Sequence, residues 1–175
     1  MRILLMLALV ALSAACSPDQ NWRQIGFEGT ALKAQLPCKP DRTTREVPLG
    51  GVPVPLAVAG CESGDAMLAV MTAALAPGAD AQAVLRGWQD VTLAHVQAQA
   101  PQSQPWAGAG AGLLPLGAAR SVQAWGQRAD GQRVYMHAAW GAFAEGDHVR
   151  VVHAVVHAPQ PRAALAQTLL DGVHP

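Results

Sequence analysis

Beyond residue 22, apolar and polar positions mostly alternate with a period of two, the pattern of strands buried on one face. Residues 31–36 alternate in this way and stop at Pro37-Cys38-Lys39-Pro40, where two prolines forbid further central pairing. Residues 43–49 form a second strand pattern ending at Gly50-Gly51, a pair suited to a tight hairpin. Residues 52–61 follow, with Pro53 and Pro55 spaced by two so that both imino nitrogens face one edge, which predicts an edge strand. The apolar run 67–75 reads as a central strand. The period then changes: Ala81, Val84, Leu85, Trp88, Val91 and His95 recur at helical spacing, predicting a helix over 80–97 with Asp80 as N-cap. Gly87 inside it costs about 1 kcal/mol against Ala, so packing has to hold that face. The Gln-, Pro-, Gly- and Ala-rich stretch 99–112 predicts a loop. Three strands, 120–128, 133–143 and 149–157, are separated by Asp130-Gly131 and Gly146-Asp147 turns. Pro161 at N1 and Gly172 at C′ frame a last helix over 162–171. The order predicts an α+β domain over residues 22–175: an antiparallel sheet of about six or seven strands in two meanders, flanked by two helices.

The N-terminus has a different pattern. Met1-Arg2 is followed by an unbroken apolar run over 3–12 and closed by Ser13-Ala14-Ala15-Cys16. Ten residues at helical rise span about half of a bilayer core, so residues 1–15 read as a secretory signal rather than a membrane span. The closing residues resemble a bacterial lipobox, which implies lipid on Cys16 and a tether over 16–21. The resemblance departs in one respect: the large aliphatic usually found three before the cysteine is displaced, leaving Ser13 there. Ordinary signal peptidase would accept Ser13-Ala14-Ala15 and cut the same bond, leaving a soluble periplasmic protein. Ser17 rather than Asp after the cysteine implies, by resemblance to enterobacterial sorting, the outer rather than the inner membrane.

Composition sharpens this. The 175 residues carry 12 basic and 12 acidic side chains, and only 14% are charged, which argues against a nucleic-acid partner. Hydrophobic content of 51% excludes global disorder, but much of it is the N-terminal run and 35 alanines. Loss of the leader removes Arg2 and leaves 11 basic against 12 acidic residues.

The three cysteines are Cys16, Cys38 and Cys61. If Cys16 carries lipid, Cys38 and Cys61 remain as a pair in an oxidising compartment, and a disulfide between them is expected. Two isolated cysteines lack the spacing of a metal site. Among the six histidines, His153 and His157 share a strand face but stand about 13 Å apart, too far to chelate one ion unaided. His137 on the adjacent strand would have to approach either one, with Glu145 or Asp147, to make a metal site; the favoured reading of the three is an exposed sheet face carrying polar side chains. Trp125 alternates with Gln123 and Gln127 and is a candidate partner-binding aromatic, whereas Trp140 alternates with Val134, Met136 and Ala138 and reads as core. No nucleophile elbow, zinc-protease, Cys-x-x-Cys or P-loop motif occurs, so no enzyme activity and no cofactor are expected.

The segment Trp22-Arg-Gln-Ile-Gly-Phe-Glu-Gly, followed by Leu32-Lys-Ala-Gln-Leu36-Pro37-Cys38-Lys39-Pro40, resembles the opening of small exported bacterial domains with a PsbP-like fold. That resemblance implies an antiparallel sheet between helices, an α/β/α sandwich. Members mostly assist complexes or bind partners rather than catalyse, and the shared motif carries no catalytic residue. The expected function is a non-catalytic, lipid-anchored periplasmic accessory or assembly factor for envelope proteins. The alternative is a small-ligand or metal-binding module using the sheet histidines.

Overall fold

The computed structural model describes residues 20–108 and 112–175. The leader, Cys16 and most of the tether lie outside the described residues, as do residues 109–111 of the glycine-rich stretch. A small hairpin comes first, β1 (Arg23–Gly26) against β2 (Lys33–Leu36). The first meander is β3 (Asp41–Leu49), β4 (Val52–Ser63) and β5 (Ala66–Ala74). Gly50 and Gly51 turn β3 into β4 with φ of 64° and 85°, the double positive φ that a primed two-residue hairpin demands and side chains resist. Helix α1 (Ala81–His95) follows, capped as expected by Asp80, whose Oδ1 accepts from the Ala83 amide at 3.1 Å. The second meander is β6 (Gln99–Pro105), β7 (Arg120–Gln127), β8 (Arg133–Glu145) and β9 (His148–Ala158), and α2 (Ala163–Asp171) closes the chain.

The seven long strands form one antiparallel sheet in the order β3-β4-β5-β9-β8-β7-β6, so the two meanders join where β5 meets β9. Its two faces are both apolar and are covered from opposite sides. Under α1 lie Leu56, Ala73, Met136, Trp140 and Val151. Under α2 and the small hairpin lie Leu68, Val70, Phe143, Val152 and Val156. A two-residue bridge, Lys33 with His174, ties the hairpin to the C-terminus. Cys38 and Cys61 are joined by a disulfide, which fastens the exit of β2 to β4. Among the described residues no helix is long and apolar enough to cross a membrane.

Four expectations are corrected. β4 is not an edge strand: β3 lies outside it. Its pairing with β5 starts only at Ala57, so the half holding Pro53 and Pro55 keeps one open edge, which is why the prolines are tolerated. Residues 99–105 are a strand, not a loop. β6 has no apolar alternation because all seven of its residues are exposed on an outer edge; pairing with β7 holds it, and Pro101 and Pro105 blunt that edge. Val91 is 69% exposed rather than packed. Gly172 ends α2 with φ −78°, so it serves no left-handed turn; a side chain there would meet Gln35 at 2.8 Å, and glycine lets α2 approach β2.

Candidate functional site

Helix α1 packs on β9, β8 and the hairpin end of β3, and leaves part of the outer sheet face uncovered. A groove results, in two adjoining lobes that share Val47, Leu56 and Trp88. The first lobe, about 680 Å³, runs between the β3–β4 turn and the small-residue side of α1, where Ala83, Gly87 and Val91 face Leu49 and Gly50. Nothing lies within 4 Å of where a Gly87 side chain would begin, so the missing Cβ enlarges this lobe. The second, about 770 Å³, opens over β4, β5 and β9 and is lined by Val58, Met67, Met71, His95, His153 and His157. Both volumes fall in the range of small-molecule sites. The first lobe is lined almost wholly by apolar residues, whereas the second has an apolar floor and a charged β3–β4 wall of Lys39, Asp41, Arg42, Arg45 and Glu62.

The polar groups have defined states. His153 is 2% exposed, stacked on Trp140 at 4.5 Å between ring centroids and edge-on to Trp88 at 5.2 Å. Its Nδ1 lies 3.0 Å from the Ala139 carbonyl, which can only accept, so Nδ1 carries the proton and donates. Nε2 is therefore a lone-pair acceptor. Burial pushes the His153 pKa down to about 4, with the Ala139 bond opposing and His157 adding to the fall. Burial also takes His157 to about 4, helped by the charges of Arg128 and His95. Both rings are neutral at pH 7. Two buried polar atoms on this face, Trp140 Nε1 and His157 Nε2, have no hydrogen-bond partner among the described residues.

The three sheet histidines do not converge. β8 and β9 pair His137 with Val156, Met136 with His157 and Trp140 with His153, so His153 and His157 face α1 while His137 faces α2. Their polar face is not exposed either: His137 and His153 are buried. Glu145 accepts from the Ala31 amide at 2.8 Å and from Arg150 at 2.7 Å, and it latches the small hairpin to β8. Burial works to raise its pKa, but the Ala31 and Arg150 bonds prevail and hold it below the ordinary value. Asp147 pairs with His148 at 3.1 Å on the surface. Among the described residues no three His, Cys, Asp or Glu side chains converge as a metal site.

His137 has a different partner, which sequence reasoning missed. Its Nε2 lies 3.1 Å from Ser121 Oγ on β7, at the wall of a cleft of about 190 Å³ with Gln104, Gln167 and Asp171. Burial lowers the His137 pKa, so the ring is neutral and the pair has the polarity of a hydroxyl and a base. No described carboxylate hydrogen-bonds His137, and Ser121 is 3% exposed, so the third member of a hydrolytic triad is not supplied. Trp125 is half-buried on this side, edge-on to Tyr135 at 5.0 Å and beneath the Arg133 guanidinium at 3.8 Å. Tyr135 in turn donates to Gln123 Oε1 at 2.8 Å. The strand register that pairs these residues was not visible in the sequence, since it links β7 and β8 only once the fold forms.

No protein-family model matches the chain, and no curated protein matches it significantly.

Proposed function

We propose that this chain is a non-catalytic periplasmic lipoprotein with a PsbP-like domain, anchored by lipid on Cys16 to the outer membrane, and that it binds a small, largely apolar molecule in the groove beside α1. The observation that carries the reading is the groove itself: an apolar lobe adjoining a second lobe that has an apolar floor, the neutral, buried His153 in that floor and a charged wall. An apolar body would be held by Val47, Leu49 and Val91, and one hydroxyl or amide donor would meet His153 Nε2. A carboxylate would gain no counter-charge from the neutral imidazole; its only cations would be Lys39, Arg42 and Arg45 on the β3 side of that lobe, which also carries Asp41 and Glu62.

The test is extraction of the protein purified from membranes, with mass spectrometry of what it releases, combined with titration of an apolar fluorescent probe. Filling the first lobe by Gly87→Leu should weaken probe binding at least about tenfold while the fold persists, since that position has open space around it. No released molecule and no probe binding would remove the reading. For the anchor, Cys16→Ala should move the protein from the membrane to the soluble fraction.

An accessory or assembly role, docking an envelope protein, is favoured by a separate feature. Trp125, held rigid by Arg133 and Tyr135, presents an aromatic and a guanidinium together at the surface, the residue types that dominate binding hot spots. Cross-linking that captures a partner lost in Trp125→Ala but kept in Gly87→Leu would separate this role from the groove. Labelling of Ser121 by a serine-directed phosphonate would overturn the non-catalytic part of the proposal.

A further inference from the structure

His157 stands between two methionines. On the α1 side of the sheet, β5 places Met67 directly opposite His157, and β8 places Met136 directly opposite it on the other flank. Directly opposed side chains in an antiparallel ladder share a face with Cβ atoms about 5 Å apart. One imidazole is thus bracketed by two thioethers across three adjacent strands. Met1 and Met6 fall in the leader, so of the three methionines beyond it two flank His157 and the third, Met71, faces His153.

Packing alone does not account for a histidine in this row. His157 Nε2 is buried and has no hydrogen-bond partner among the described residues, and a buried polar atom left unpaired is costly. Thioether sulfur is too weak a hydrogen-bonding group to repay that cost, but it is a good soft-metal ligand, as is neutral imidazole. Met67 is half-buried and lines the second lobe of the groove, which provides a route inwards. The three torsions of a methionine side chain let each sulfur swing towards the ring.

We propose that Met67, His157 and Met136 form a site for a soft monovalent metal ion, cuprous copper in chemical class, with His95 of α1 at its mouth. The ligand set selects against harder ions: among the described residues no three His, Cys, Asp or Glu side chains converge to complete a zinc or calcium shell. The cation Arg128 acts on His157 as well, and a singly charged ion meets half the repulsion that a doubly charged one would. The inference rests on strand register and does not depend on what occupies the lobes.

The test uses purified, untagged protein titrated anaerobically with Cu(I) against a chromophoric Cu(I) chelator, and with Ag(I) as a redox-inert stand-in. One equivalent should bind tightly. Met67→Leu and Met136→Leu keep side-chain volume, so each should leave the fold intact and weaken binding at least about tenfold, no less than losing an outer-shell partner would. Met71→Leu should bind like the parent. In the unsubstituted protein, Ag(I) should shift the methyl resonances of Met67 and Met136 and leave that of Met71 in place. Binding unchanged by both leucine variants would overturn the proposal. So would Zn(II) competing on equal terms, or silver shifting Met71 instead; this spectroscopic arm decides the question even if a variant misfolds.

Discussion

His153 shows how burial, ring stacking and one backbone bond set the chemistry of a single side chain. Its folded pKa lies near 4 against an ordinary 6.5, so the folded state resists protonation and the unfolded state does not. The stability tied to this residue is therefore complete above pH 6.5 and is lost as pH falls towards 4. Between pH 7 and pH 5 the loss should be about 2 kcal/mol. Urea unfolding of the parent and of His153→Phe at the two pH values checks this: the phenyl ring keeps the stack on Trp140, and the variant should lose that much less on acidification. Equal acid sensitivity would mean that the ring is reached by solvent. The orphaned nitrogen of His157 and the hydroxyl–imidazole pair of Ser121 and His137 are the other residue-scale features that set this chain apart from an inert sheet.

At the scale of elements, α1 is the piece on which the groove depends. Only Val84 and Leu85 in it are fully buried, and Gly87 weakens it from within, so its first turn matters more than usual. Replacing Asp80 by Ala removes the acceptor for the Ala83 amide and should cost about 1 kcal/mol. Because Asp80 also lines the first lobe, probe binding should weaken along with the melting temperature, and calorimetry with a probe titration would show both. Elements differ in how far their own residues announce them. The helical spacing around Trp88, the Asp80 cap, the Gly50-Gly51 turn and the alternation through Trp140 were all readable because each reflects local backbone physics. β6 was not, since an exposed edge strand buries nothing and has no period to read. β4 was half-read: its prolines do mark an open edge, but only over the half that precedes Ala57.

The whole molecule depends on two long-range joins. One is the β5–β9 ladder that turns two meanders into a single sheet, and the other is the Cys38–Cys61 disulfide that holds the small hairpin against it. The bridge spans a sequence separation of 23, for which loop-closure entropy gives on the order of 3 kcal/mol. The double variant Cys38→Ser with Cys61→Ser should unfold at lower denaturant by that amount, and protease should cut first near β1 and β2. Because Cys38 and Cys61 also line the second lobe, probe binding there should weaken, while the first lobe, which neither cysteine touches, should still bind in the surviving fold.

The sequence by itself determined the α+β class, the two meanders, the first helix and its cap, the disulfide partners and the apolar placement of Trp140. These follow from periodicity, turn chemistry and cysteine parity, all of which act over short spans or by simple count. Only the tertiary structure decided which histidines meet. A strand's two faces are separated by one residue of register, and that register between β5, β9 and β8 comes from pairing segments far apart in the chain. It sends His137 to Ser121 on one face and sets His157 between Met67 and Met136 on the other.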